Sequence, residues 1–121
     1  MSNRTVLTEL QYEGTTPYLE FDIESELDVG FKPETLHLTL FDAKSGTIIN
    51  SRNNVSVIDS CDSNGHVAMW LEAEDLAMSD PVTNRTETRR ALFRWTWAAG
   101  ARVGAHEIEF PIMNHLFLPV I

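Results

Sequence analysis

The segment 91–112, ALFRWTWAAGARVGAHEIEFPI, constrains the fold more than any other part of the chain. It contains two stretches that alternate apolar and polar residues, and a turn that includes Gly100 joins them. Strict alternation over this length is typical of half-buried antiparallel strands. Because one face of this hairpin collects the large aromatic side chains, we expect that face to lie in the core. The inward residues are Ala91, Phe93, Trp95, Trp97, Ile108, Phe110 and Ile112.

Shorter alternating segments precede the hairpin, and turns rich in Gly, Pro, Asn and Asp separate them. We expect strands at 5–12, 18–24, 35–42, 47–50, 55–59 and 66–72. One helical turn at 73–78 and a long polar loop at 79–88 follow, and the apolar tail 115–121 docks on the domain or on a neighbour. This pattern predicts an all-β fold: a single antiparallel β-sandwich over residues 1–121, immunoglobulin-like, with about seven to nine strands.

Composition limits the classes of partner. The 121 residues suit one domain, and the formal net charge of -9 argues against nucleic acid, whose phosphates need a cationic field. No apolar stretch approaches transmembrane length, so we expect no membrane partner. Cys61 is the only cysteine, which excludes an intramolecular disulfide and suits a chain folded in a reducing cytoplasm.

No motif in the sequence indicates a reaction. The four histidines, at positions 37, 66, 106 and 115, lack metal-ligand spacing, and we interpret them as ordinary surface or edge residues. The segment 59–65 (DSCDSNG) resembles a calcium loop, but the distal Glu is absent and a turn explains it better. Cys61 has no nucleophile motif around it. We therefore expect no catalytic residue, no metal and no cofactor, and hence no enzyme.

The segment 85–102 contains five arginines and a single acid, Glu87. This asymmetry predicts a basic edge that binds an acidic neighbour, including a second copy of the chain, through bidentate contacts. An equally plausible interpretation is that the arginines pair within the molecule. The candidate interface residues are Arg85, Arg89, Arg90 and Arg94.

Two aromatic side chains point away from the apolar face of their strands. Trp70 falls on the face of its predicted strand opposite to Val67, Met69 and Leu71. Phe41 likewise falls on the outward face of its own predicted strand. Outward aromatics could form a sugar-stacking platform or anchor a protein interface. We favour the interpretation that the tail, a loop or Phe31 covers them.

The segments 38–54 and 91–110 resemble a group of small phage and prophage proteins with immunoglobulin-like virion modules, similar in layout to the N-terminal domain of baseplate upper proteins. The shared patterns are D-A-x-x-G-T-x-I-N and A-L-F-x-W-T-W, followed by a Gly turn and G-x-H-E-x-E-F. The resemblance implies a non-enzymatic virion protein, assembled in the bacterial host cytoplasm, that docks on phage capsid or tail proteins as a decoration, connector or baseplate component. It also implies a homo-oligomer or lattice contacts. The alternative is a carbohydrate-binding module that uses Trp70, with Phe41 or His66 nearby, as a platform for host-surface glycans.

Overall fold

The computed structural model describes residues 4–6, 11–12, 15–25, 29–78 and 85–114. Within these residues nearly all of the regular secondary structure is strand, which confirms the all-β prediction. The strands are β1 (Arg4–Val6), β2 (Gln11–Tyr12), β3 (Tyr18–Asp22), β4 (Thr35–Asp42), β5 (Val55–Ser56), β6 (His66–Trp70), β7 (Thr86–Trp97) and β8 (Arg102–Met113). Two short 3-10 turns, Ile58–Ser60 and Ala73–Leu76, are the helical elements among them.

The strands form two sheets. The larger has the order β1-β8-β7-β4-β5, with β2 also paired to β8, and the smaller consists of β3 and β6. The predicted hairpin lies at the centre of the larger sheet, where β7 pairs with β8 along its whole length and with β4 on its other side. Alternation therefore located the central strands correctly.

The N-terminal strands depart from the predicted antiparallel pattern, because β1 and β2 both run parallel to β8. Of the single strand expected at 5–12, residues 5–6 and 11–12 lie in strands, and residues 7–10 lie outside the described part. Val6 pairs with Glu109 and Gln11 pairs with Ile112, so the two described strands follow different registers along β8.

Apolar residues from both sheets meet in one core. The larger sheet contributes the inward residues of β4, β7 and β8, and Phe93 lies 4.8 Å from Phe21 of the smaller sheet, measured between ring centroids. Such packing of two alternating sheets is what defines a sandwich. The buried residues of the larger sheet include Leu36, Leu38, Leu40, Ala91, Phe93, Ile108, Phe110 and Ile112, and those of the smaller sheet include Leu19, Phe21 and Val67.

The two tryptophans of β7 are less buried than the alternation predicts. Trp95 is half-buried against the core, and Trp97 is half-buried with its ring centroid 5.4 Å from that of Phe31. The reason is a difference in length: β7 has 12 residues, whereas the facing strand β3 has five. The turn end of the hairpin therefore extends past the smaller sheet, and the loop that carries Phe31 covers part of it.

The structure differs from three local expectations. The segment 47–50 forms no strand and contributes only an isolated bridge between Phe41 and Ile48. The helical turn at 73–78 is the shorter 3-10 turn, and β7 begins at Thr86, inside the predicted loop 79–88. Residues 79–84 and the tail 115–121 lie outside the described part. None of the helical turns that the structure describes has the length and apolar character to cross a membrane.

Candidate interaction surfaces

Arg89 is a buried residue and not part of a surface patch, contrary to the sequence-based expectation. Its side chain is 0 % exposed. Nη1 donates to Asp42 Oδ1 at 2.8 Å, while Nη2 donates to Glu87 Oε1 at 2.7 Å and to the Ala77 carbonyl at 2.6 Å. Because β7 alternates, position 89 shares the inward face with Ala91 and Phe93. The guanidinium is the shared hydrogen-bond donor to two buried carboxylates.

The other arginines of the predicted edge do not lie together. The strand β7 is central in its sheet, so it offers no edge, and Arg90 and Arg94 lie on the outer face of the larger sheet. Arg90 Nε contacts Glu109 at 2.9 Å and Glu107 at 3.4 Å. The hydrogen bond to Glu109 raises the pKa of Arg90. Arg90 therefore agrees with the alternative interpretation, in which the arginines pair within the molecule. Arg85 is exposed and directly precedes β7.

Arg94 differs from Arg89 and Arg90 in having no carboxylate partner. No acid lies within 4.0 Å of its guanidinium in the described part of the chain. It is exposed beside His37, its cross-strand neighbour, and both residues line a cavity of about 200 Å³ on the outer face of the larger sheet. Of the four predicted arginines, Arg94 is the one that combines an exposed, unpaired charge with a concave surface.

The outer face of the smaller sheet, which we call the small-sheet face, consists of Tyr18, Glu20, Asp22, His66, Ala68 and Trp70. Trp70 is 66 % exposed and Tyr18 is 44 % exposed. The two residues are cross-strand partners, and their ring centroids lie 4.9 Å apart with an angle of 55° between the planes. The prediction that Trp70 points outward is confirmed, and in the described part of the chain its side chain is exposed rather than covered by Phe31.

Phe41 and Trp70 do not form one platform. Phe41 is half-buried on the outer face of β4, where it pairs with Arg90 in register and bridges to Ile48. That face belongs to the larger sheet, whereas Trp70 lies on the outer face of the smaller sheet. The core separates the two aromatics. The expectation that Phe41 and Trp70 belong to one platform is therefore wrong.

His66 contacts both acids of the small-sheet face. Its Nδ1 lies 2.7 Å from Asp22 Oδ1, and its Nε2 lies 3.2 Å from Glu20 Oε2. The hydrogen bond to Asp22, helped by the charges of both acids, raises the pKa of His66. Strand parity could have grouped these residues in advance, since positions 18, 20 and 22 alternate together as do 66, 68 and 70. The register that places His66 opposite Asp22 has no local sequence signal.

His106 is also not the surface or edge residue that the sequence suggested. It is buried on the inner face of β8, where its ring stacks on Phe21 with centroids 4.6 Å apart and planes 9° apart. Its Nε2 lies 2.8 Å from Thr5 Oγ1. Burial lowers the pKa of His106, because the charged imidazolium is poorly solvated there. His115 lies outside the described part.

The segment around Cys61 is organised as a turn. Asp62 Oδ1 accepts hydrogen bonds from the backbone amides of Asn64 at 2.9 Å and His66 at 3.0 Å, and these bonds lower the pKa of Asp62. The Cys61 thiol is buried, and burial raises its pKa, which disfavours the reactive thiolate. In the residues that the structure describes, no group of three or more His, Cys, Asp or Glu side chains is arranged to hold a metal ion.

Comparison with known proteins assigns no function to these surfaces. No family model, no curated protein and no solved structure matches the chain. The candidate surfaces are therefore defined by the chain's own contacts: the small-sheet face with Trp70, and the cavity beside Arg94.

Proposed function

We propose that the chain is a non-enzymatic virion accessory protein that docks on phage capsid or tail proteins through the small-sheet face. One observation carries the proposal: Trp70, a large aromatic residue, is 66 % exposed on a regular strand beside a second exposed aromatic, Tyr18. Trp and Tyr are among the residues that contribute most binding energy at protein interfaces. Both have few rotatable bonds, so ordering them on binding costs little entropy.

The geometry of the pair favours a protein partner over a sugar. A sugar ring stacks on a flat aromatic surface, whereas the planes of Tyr18 and Trp70 meet at 55° and form a ridge. The neighbouring carboxylates of Glu20 and Asp22 each contact His66 through one oxygen. A ridge that inserts into a pocket of another protein uses the same side chains without needing free acceptors.

The sequence resemblance supplies the phage setting. The patterns in 38–54 and 91–110 resemble virion modules, and the two-sheet all-β architecture is compatible with the immunoglobulin-like sandwich that we propose for the chain. In this proposal the protein is assembled in the bacterial host cytoplasm and resides in the virion. Repeated copies, as a homo-oligomer or on a lattice, would let modest contacts add through avidity.

The proposal is tested by the composition of phage particles. Particles produced by cells that encode the chain are purified by density gradient, and their proteins are identified by mass spectrometry. We expect peptides of this chain at a fixed stoichiometry to a capsid or tail protein through successive gradients. Loss of the chain from particles that remain intact and infectious would contradict virion residence.

Glycan binding remains the second candidate, because exposed tryptophan is a common sugar contact. A glycan array probed with the full chain and with Trp70→Ala separates the two candidates. The proposal expects no Trp70-dependent signal. A saturable signal that Trp70→Ala abolishes and Phe41→Leu retains would replace protein docking with glycan docking on the same face.

A further inference from the structure

We infer that the cavity beside Arg94 is a binding site for a single carboxylate group, presented by an acidic segment of a partner protein. This site goes beyond the docking surface proposed above, since it lies on the outer face of the opposite sheet. The cavity lining includes Thr35, His37, Asn54, Arg94, Thr96 and Val103.

The charge of Arg94 is not balanced by its surroundings. Arg52, Arg89 and Arg90 each contact at least one carboxylate, at 2.5 to 2.9 Å for the shortest contact. Arg94 has no such contact, and its register partners on the two sides are His37 and Ala105. The acids that follow Ala105 on the same face, Glu107 and Glu109, are held by Arg90. The guanidinium fork of Arg94 is therefore available to an incoming anion.

Arg102 and Arg85 are also exposed and lack a carboxylate within 4.0 Å in the described part, but neither lines the cavity. What distinguishes Arg94 is the set of polar groups around it. The hydroxyls of Thr35 and Thr96 are hydrogen-bonded to each other at 2.6 Å, so one of them keeps a proton that can be directed to a ligand. The Asn54 side chain and the His37 ring add further polar groups at the rim.

The size of the cavity limits the ligand. A volume of about 200 Å³ is below the roughly 300–1,000 Å³ of pockets that hold drug-sized molecules. A carboxylate with its short aliphatic stem fits this space, and Val103, 56 % exposed, offers an apolar contact for the stem.

The chemistry favours a carboxylate over a nucleic-acid phosphate. A polyanionic backbone is held by several cations, whereas this cavity has one arginine in a chain of formal net charge -9. A single planar carboxylate matches the bidentate geometry of one guanidinium. The same group can come from an acidic protein segment or from a free small acid, and the experiment must separate these sources.

The test is an NMR titration of the full-length, ¹⁵N-labelled chain at constant ionic strength, with one arm using sodium acetate and the other a hexaglutamate peptide with blocked termini. The Arg94 Nε–Hε resonance reports directly on the guanidinium. We expect saturable shifts of that resonance and of the Thr96 amide with the peptide, at lower concentration than with acetate. Arg94→Gln should weaken binding about tenfold or more, as expected for loss of a charge-assisted contact. Arg102→Gln, which removes a charge of the same hairpin outside the cavity, should change it less than about twofold.

Three other outcomes are informative. Saturation with acetate and not with the peptide would overturn the assignment to a protein segment in favour of a free small acid. Equal weakening by Arg94→Gln and Arg102→Gln would show nonspecific attraction to the hairpin and overturn the site. Absence of saturable shifts in both arms, with Arg94→Gln still folded by its amide spectrum, would overturn it as well.

Discussion

The two faces of β7 use arginine for opposite purposes. Arg89, on the inner face, is fully buried and its charge is shared by Asp42 and Glu87. Arg94, five residues further on, lies on the outer face without an acidic partner. An odd spacing on a strand places two residues on opposite faces. Residue type alone does not define a surface, because strand parity decides which arginine is buried between carboxylates and which is exposed to a ligand.

A second difference separates the two outer faces of the sandwich. On the small-sheet face Glu20 and Asp22 both contact His66, and the surface that we propose for docking is the exposed aromatic pair of Tyr18 and Trp70. On the larger sheet the surface left for a partner is the charge of Arg94. Contacts to the first should be weakly sensitive to salt, whereas contacts to the second should weaken as salt screens them.

The largest effect is expected at the inner face. Arg89→Met removes the cation that two buried carboxylates share, so we expect a loss of about 3–5 kcal/mol in the free energy of unfolding. Urea denaturation followed by tryptophan fluorescence measures it. Arg94→Gln is the matched control and should unfold at the wild-type urea concentration. Equal stabilities of the two variants would remove the distinction between the faces.

The next effect is expected where Trp95 meets β8. A side-chain Cβ at position 104 would collide with the Trp95 indole, so Gly104→Ala must displace that ring. We expect a loss of about 1–3 kcal/mol, as for overpacked sites. Ala105→Ser, at the neighbouring outward position, should change stability by less than about 0.5 kcal/mol. A neutral Gly104→Ala would show that the turn end of the hairpin is loosely packed.

A smaller effect is expected from the docking residue itself. Trp70 is largely exposed and its main contact is the ring of Tyr18, so Trp70→Ala should cost less than about 1.5 kcal/mol. Differential scanning calorimetry measures this change. A cost comparable to that of Arg89→Met would mean that Trp70 supports the fold, and its exposure would then say little about docking.

The smallest expected effect concerns His66 and His106, whose environments shift their pKa values in opposite directions. The pKa of His66 is raised above 6.5, so its contribution to stability is complete below pH 6.5 and is lost as the pH rises through its folded-state pKa. The pKa of His106 is lowered below 6.5, so its neutral form favours folding above pH 6.5, and that contribution is lost as the pH falls through its folded-state pKa. Titration of the imidazole resonances by NMR should give midpoints on opposite sides of 6.5. Midpoints in the reverse order would contradict both assignments.

Alternation in the sequence predicted the central strands, because each buries one face and so repeats every two residues. The same parity could have identified the buried ion cluster: Asp42 continues the inward series of Leu36, Leu38 and Leu40, and Arg89 precedes Ala91 by two. In the structure Asp42 and Arg89 are register partners. The assumed polar loop at 79–88 concealed this relation.

Pairings between distant segments could not be predicted in this way. The parallel pairing of β1 and β2 with β8 joins the two ends of the described chain, and no local pattern specifies it. The meeting of Tyr18 with Trp70 depends equally on a register between strands far apart in sequence. Parity indicated that each of these side chains is outward, but only tertiary structure makes them neighbours.

The most direct test of the central claim is co-sedimentation with phage particles that lack the chain. Purified wild-type protein, Trp70→Ala and Val6→Ala are each mixed with such particles, sedimented and quantified. Val6 is the matched control, because it is an exposed apolar residue on β1 of the larger sheet, outside the small-sheet face and the Arg94 cavity. We predict that wild type and Val6→Ala sediment with the particles, while Trp70→Ala stays in the supernatant with its fold intact. Equal sedimentation of Trp70→Ala and wild type would contradict docking through the small-sheet face.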